Sequence, residues 1–406
     1  MLALTSVWTT ILLAAAVALG PLATDMYLPA LPSMGATLDA GTDQLQLTLS
    51  IFMAGFALAQ LVCGPLADRF GRKPIMIGGF GLFALASLGC ALATDIETLV
   101  LCRFLQALGG SAGPVLGRAA IRDIYTPREA ARIMAILASI MALAPAIAPS
   151  LGGLLLGGFG WASIFIALGV YALIMTVVIA VGMPEPLKPA NRQSLRISNL
   201  LHNYRAIGID PSFIGYTLTN SLVFAGLFAF LSGSSFVLIE FFGVKAEYFG
   251  FYFAFVVAGY ILGNLIAVRL GRRMLPDQIL QRGLTVSVIG GTVMAGLALT
   301  EVFHVSAVML PQVVFMVGVG MVLPQTMAGA LANFPRMAGS ASAVFGCVQM
   351  TVAALVGLLV GHLHTGTSLV MALAIAACAL AALTVYRLLV QRYPAQGFEP
   401  ATSATA

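Results

Sequence analysis

Charge is what this chain has least of. Only 9% of its 406 residues are Asp, Glu, Lys or Arg, where a soluble globular domain carries about a quarter. Hydrophobic residues make up 60% of the chain, and its mean hydropathy is +1.00. Too little polar surface remains to keep such a chain in water, which excludes a soluble protein and makes the lipid bilayer its solvent. Histidine is scarce too, with four residues, and the five cysteines, Cys63, Cys90, Cys102, Cys347 and Cys378, contain no C-x-x-C spacing. The thiols therefore read as small apolar residues within spans, and no metal site is expected. His362 and His364 form an H-x-H pair near a membrane boundary, where interfacial histidines are the simpler reading. No constellation of nucleophile, base or metal ligand is present, so neither an enzyme nor a cofactor is expected.

What the chain has in abundance is apolar length. A helix needs about 20 apolar residues to cross the hydrocarbon core, and twelve stretches qualify. In the first half they run over about 7–30, 44–66, 74–93, 98–117, 133–156 and 161–183, and in the second over about 212–236, 247–268, 279–300, 305–329, 340–362 and 368–390. The first lacks a basic leader and continues through Asp25 into a Pro-rich exit, so it is expected to stay as a span rather than be cleaved as a signal.

The net charge of +5 is not spread evenly. With these spans in place, every one of the 20 Lys and Arg residues except Arg103 and Lys245 falls on one side. By the positive-inside rule that side is the cytoplasm, and it holds both termini and the central loop. A basic surface gathered this way needs no nucleic-acid partner. The bilayer and a small solute are the partners expected, with the chain working as a monomer.

The halves repeat. Residues 184–211, with Lys188, Arg192, Arg196 and Arg205 among Pro and polar residues, read as a cytoplasmic linker between bundles at 1–183 and 212–406. Shifting the sequence by 200 residues lays Arg69-Phe70-Gly71-Arg72-Lys73 on Arg269-Leu270-Gly271-Arg272-Arg273, each after the second span of its half. Asp68 has Val268 as its counterpart, so the halves differ in charge. The expected fold is an all-α polytopic membrane protein of twelve transmembrane helices in two pseudo-symmetric six-helix bundles.

Two such bundles resemble the major facilitator superfamily of secondary transporters. Gly64-Pro65-Leu66-Ala67-Asp68-Arg69-Phe70-Gly71-Arg72-Lys73-Pro74 is similar to that superfamily's loop signature. Asp25-Met26-Tyr27-Leu28-Pro29-Ala30-Leu31-Pro32 resembles the first-helix signature of the Bcr/CflA drug-resistance transporters. Arg103-Phe104-Leu105-Gln106-Ala107-Leu108-Gly109-Gly110 resembles the fourth-helix signature of drug:proton antiporters. Ala148-Pro149-Ser150-Leu151-Gly152-Gly153 resembles their fifth-helix signature, with Ala148 in place of its first glycine. The resemblance implies proton-coupled multidrug efflux across a bacterial inner membrane by alternating access. Bicyclomycin, chloramphenicol-like compounds and sulfonamides are the substrates it points to. The alternative is proton-linked movement of a metabolite such as an amino acid or sugar, whose cavity should carry a denser set of polar side chains.

Two charges stand out against the hydrocarbon. Asp25 is the one acidic residue of the 15 that these boundaries place well inside a span, and Arg103 the one basic residue so placed. Each sits about five residues below the outer end of its span, roughly 7 Å deep at 1.5 Å per residue, and this equal depth permits the two to pair. Hydrocarbon disfavours a charged carboxylate and an opposed guanidinium favours it, so the proton affinity of such an acid follows any movement between helices. Two readings remain open: a static tie between helices, and a coupling pair in which Asp25 carries the proton (H+ being the coupling ion) and Arg103 tunes it.

Other residues follow from the resemblance. It implies a conformational latch built of Gly64, Asp68, Arg69, Gly71 and Arg72 with Arg118 and Arg122, against the simpler reading that these charges only set topology. Asp68 is expected near the start of the eleventh span, where Ser340 would be the N-cap. Pro145, Pro149, Gly152 and Gly153 imply a kinked, leak-preventing fifth helix, or ordinary small-residue packing. Tyr27, Gln106, Gln325 and Gln349 are cavity candidates. Asn220, Phe224 and Phe228 share one helical face, as do Phe251 and Phe255; such aromatic stripes either line a cavity or face lipid.

Overall fold

The computed structural model describes residues 7–187 and 197–395, and among these there is no strand. The linker residues Lys188, Arg192 and Arg196 lie outside the described residues. The first span is α1 (Val7–Asp25), followed by a 3-10 turn over Leu28–Ala30 and α2 (Leu31–Leu38). Pro29 and Pro32 lack the N–H groups a continuous helix would need there, which is why the expected single helix over 7–30 is interrupted after Asp25. The second and third spans are α3 (Thr42–Phe70) and α4 (Arg72–Ala91). The fourth is a pair, α5 (Ile96–Gly110) and α6 (Ala112–Ile124), and the fifth is α7 (Pro127–Phe159), unbroken through Pro145 and Pro149. The sixth, α8 (Ala162–Gly182), ends the first set.

A short helix, α9 (Ile197–Gly208), falls within the expected linker. The second set comprises α10 (Pro211–Ser235), α11 (Ala246–Leu270), α12 (Pro276–Leu299), α13 (Val305–Ala332), α14 (Ala338–His362) and α15 (Leu369–Val385). Both α10 and α15 run on into single π-turns, at Phe236–Phe241 and Tyr386–Val390. Among the described residues, eleven helical stretches are long and apolar enough to cross a membrane, and α7 carries a shorter apolar stretch, Leu143–Phe159.

Helix starts are set by local chemistry. Asp95 caps α5 by accepting the Thr98 N–H at 2.7 Å. That bond holds the Asp95 carboxyl below its ordinary range. The contribution of this cap is thus present at neutral pH and is lost as pH falls through the folded value. Asp210 caps α10 through the Phe213 N–H at 2.7 Å, and Thr126 and Glu129 form a capping box on α7, with the Thr126 N–H donating to Glu129 at 3.1 Å.

The chain forms two compact units, residues 1–196 with 246–250, and residues 197–245 with 251–406. α9 clusters with the second unit, packed on α14, so this part of the expected linker is a piece of that unit. In the first unit α4 packs on α5 and α8, and α1 on α6 and α7; in the second, α10 packs on α13, α14 and α15, and α12 on α13 and α15.

Candidate functional site

The break after Asp25 creates the polar centre of the first unit. The α-helical hydrogen-bond ladder stops after the Met26 N–H bond to Leu22, and the Ala23 carbonyl is taken by Arg103, whose Nη1 donates to it at 3.1 Å. The same nitrogen donates to Gln106 Oε1 at 2.6 Å, one helical turn along α5. Gln106 in turn donates to Ser87 Oγ on α4 at 2.7 Å. The guanidinium lies over the rings of Tyr27 and Phe52, each 4.2 Å away, with Phe165 at 5.9 Å. Arg103 is wholly buried, and a desolvated cation over an aromatic face gains about 2 kcal/mol.

Asp25 is buried as well, at 3% exposure, and its Oδ1 has no hydrogen-bond partner. No ion pair joins it to Arg103 among the described residues. The direct pairing that equal depth permits is therefore absent among the described residues. Equal depth permits such a contact without making it: Arg103 Nη1 is turned to the Ala23 carbonyl and to Gln106, and the guanidinium lies over aromatic rings. Arg103 Nε and Nη2 remain without partners. Asp25 and Arg103 are thus both buried in the first unit, each with side-chain atoms that lack a hydrogen-bond partner.

Gly152 of α7 lies against the chain just after Asp25. A Cβ on Gly152 would collide with the carbonyl oxygen of Met26, the residue after Asp25. Gly153 is also buried, Pro149 is buried and Pro145 half-buried. Small residues here let α7 approach the backbone at the break.

At the other end of the unit, the loop between α3 and α4 is held by acids. Arg72 is 7% exposed and pairs with Asp68 at 2.6 Å and with Asp123, beyond α5, at 2.9 Å. Glu185, just past α8, accepts the backbone N–H groups of Arg72 at 2.8 Å and Lys73 at 3.1 Å. This places a carboxylate on the positive end of α4. Gly71 adopts φ +105°, and a Cβ there would strike the Glu185 carboxylate. Arg69 is exposed and lies 5.2 Å from the Phe70 ring, Arg118 donates to the Pro114 carbonyl of its own helix at 2.8 Å, Arg122 is exposed, and Gly64 has open space around it. Of the latch candidates, then, Asp68 and Arg72 meet directly while Arg118 and Arg122 do not join them. Ser340 is not an N-cap: α14 begins at Ala338, with Met337 at the cap position and no side-chain bond, so Ser340 sits inside the first turn. Glu185→Gln keeps the shape and removes the charge at the α4 start. It is expected to cost about 1–2 kcal/mol, read as a lower melting temperature of the purified protein; an unchanged melt would show that α4 does not depend on the carboxylate.

The second unit has its own polar cluster. Asn220 on α10 donates to Thr326 Oγ1 at 2.7 Å and to the Leu323 carbonyl at 3.3 Å, both on α13, and accepts from Gln349 on α14 at 2.8 Å. Phe228 is buried on the same helix and Phe224 half-buried; Gln325 is half-buried beside Thr326. Phe251 and Phe255 are 70% and 49% exposed and line a pocket together with Tyr252, His304 and Met309. His364 packs its ring on Phe236 at 5.8 Å.

Comparison with known proteins accords with this architecture. Residues 13–358 match the family described as Major Facilitator Superfamily. The chain belongs to the Major Facilitator Superfamily. A bicyclomycin resistance protein homolog of Haemophilus influenzae is 31% identical over 376 residues, 92% of this chain and 94% of that protein. The uncharacterized MFS-type transporter YdgK of Bacillus subtilis is 36% identical over 84% of this chain and 86% of its own. A solved D-xylose-proton symporter shares the fold with a TM-score of 0.75 at 15% identity, covering 99% of this chain and all of that one. The protein is thus a multi-pass superfamily transporter of twelve helices and not an enzyme.

Several participants in this superfamily member's polar sites were not picked from the sequence. Phe52 and Phe165 complete the aromatic cage from α3 and α8, and Thr326 rather than its neighbour Gln325 answers Asn220. Gln46 and Gln312 are fully buried with both amide atoms unpartnered, so the interior carries more amide groups than the sequence reading anticipated. Membrane spans rich in Leu, Ala and Gly conceal such residues, because one polar side chain per helix gives no pattern.

Proposed function

We propose that the protein exports drug-like, amphipathic small molecules across the bacterial inner membrane in exchange for protons, with both termini in the cytoplasm, and that Asp25 is the group that carries the proton. The observation that carries this reading is the buried, cation-free carboxylate at the break in α1, with an oxygen left unpartnered. Ionised carboxylates are too costly in such a place, so the acid is neutral while shielded and releases its proton once water reaches it. Arg103, held by carbonyl, amide and rings rather than by Asp25, is the buried positive charge that would favour release if movement between helices brought the two together. Relatives named for resistance to bicyclomycin and chloramphenicol support the substrate class. A panel of antibiotics in an efflux-deficient host tests it: expression is expected to raise resistance to several compounds, and a proton uncoupler to cancel the gain. Resistance that survives the uncoupler would rule out proton coupling.

The Asp68, Arg72 and Asp123 cluster is the part of the motif-bearing loop that would act as a conformational latch. Asp68→Ala is expected to shift the occupancy of the state closed on the cytoplasmic side, measured by cysteine cross-linking; unchanged occupancy would leave the loop with a topological role only.

A further inference from the structure

The two halves of the duplication treat the same basic loop in opposite ways. In the first unit Arg72 is neutralised by Asp68 and Asp123, and Glu185 takes the adjoining N–H groups. In the second unit the equivalent arginines, Arg269, Arg272 and Arg273, are exposed and enter no ion pair among the described residues. The position of Asp68 is held by Val268, 69% exposed. The nearest acid along the chain, Asp277, is buried and accepts the Tyr386 hydroxyl at 2.8 Å. Three guanidinium-bearing residues therefore line a pocket of about 310 Å³ together with Leu270, with no ion-pair partner among the described residues.

The apolar surface leading to this pocket favours one kind of anion. Leu262, Leu265 and Arg269 follow at i, i+3 and i+7 on one exposed face of α11, with the two leucines 50% and 62% exposed. The opposite face is packed, since a Cβ on Gly263 would collide with the Val317 carbonyl. An apolar strip that ends in a cluster of guanidinium groups matches an acyl chain that ends in a phosphodiester. Arginine suits this role because its planar fork meets phosphate oxygens in pairs.

We propose that the exposed strip of α11 and the Arg269, Arg272 and Arg273 pocket form a site for one anionic phospholipid, whose phosphate supplies the counter-ion that Asp68 provides in the first half. This inference rests on the bilayer as solvent and on the basic loops facing the cytoplasm, and makes no use of substrate or coupling ion. A free phosphate shares the headgroup chemistry but leaves the leucine strip uncovered.

Native mass spectrometry of the full-length protein in detergent tests it, with phosphatidylglycerol, phosphatidylethanolamine and inorganic phosphate as the probes. Wild type is expected to retain one phosphatidylglycerol in preference to phosphatidylethanolamine. Arg272→Gln with Arg273→Gln is expected to weaken that binding roughly 30-fold, about fivefold for each charge lost at the surface. Val268→Asp keeps every arginine but installs the first half's counter-ion, and it too is expected to weaken phosphatidylglycerol binding. Equal retention of phosphatidylglycerol by wild type and Val268→Asp would overturn the proposal, even if the double variant failed to fold. Displacement of the lipid by inorganic phosphate at equal concentration would overturn it as well, by assigning the pocket to a free anion. Failure of drug resistance in the susceptibility panel would leave these outcomes untouched, so the two readings fail separately.

Discussion

Asp25→Asn is expected to abolish proton-driven efflux while leaving the protein in the membrane at wild-type level. Asn has the same shape as Asp and cannot release a proton. The Asp25 Oδ1 has no partner to lose, so the substitution removes a titrating group without removing a bond at that atom. On the proposed mechanism net export against a gradient depends on proton exchange at Asp25, and that is the function the variant would lack. Downhill exchange of labelled for unlabelled substrate needs no net proton movement and is expected to persist. Vesicles of defined internal pH separate the two activities. If the variant still accumulated substrate in response to a pH gradient, Asp25 would not be the coupling group.

The second large effect belongs to Gly152→Ala. Adding one methyl group to a helix surface normally costs little, and exchanging Gly for Ala inside a helix gains about 0.5–1 kcal/mol. At Gly152 the methyl would occupy the space of the Met26 carbonyl oxygen, a backbone atom that cannot swing aside. Either α7 retreats or the break after Asp25 deforms, and both disturb the backbone next to Asp25. The expected cost is about 1–3 kcal/mol or more in stability, together with loss of transport. Gly158→Ala lies on the same helix, where a Cβ would meet nothing within 4 Å, and serves as the control. It is expected to melt at or above the wild-type temperature. If both variants melted alike, the close approach of α7 to Met26 would carry no energetic weight.

The twelve spans were legible in the sequence because length and apolarity are properties of single segments, and a bilayer imposes both. Asp25 and Arg103 were legible for a related reason, since an ionisable residue in hydrocarbon is conspicuous wherever its helix packs. Their partners were not. Arg103 is caged by Tyr27, Phe52 and Phe165, which come from three different segments and look like ordinary apolar residues in each. Whether two side chains at equal depth meet depends on how each helix is rotated, and here the interruption at Tyr27 reset the end of α1 and freed a carbonyl for the arginine. Glu185 escaped notice because its partners are backbone N–H groups 112 and 113 residues away, to which any sequence contributes equally. Ser340 illustrates the reverse error. A serine near a span start is a sound capping signal, but the helix begins two residues earlier.

The most direct measurement is the number of protons released when a drug binds, obtained by calorimetry of the purified protein in buffers of differing ionisation enthalpy. If Asp25 exchanges its proton for substrate, wild type releases about one proton per molecule bound near neutral pH, and Asp25→Asn binds the same compound with none released. Equal proton release by the two proteins would contradict the account.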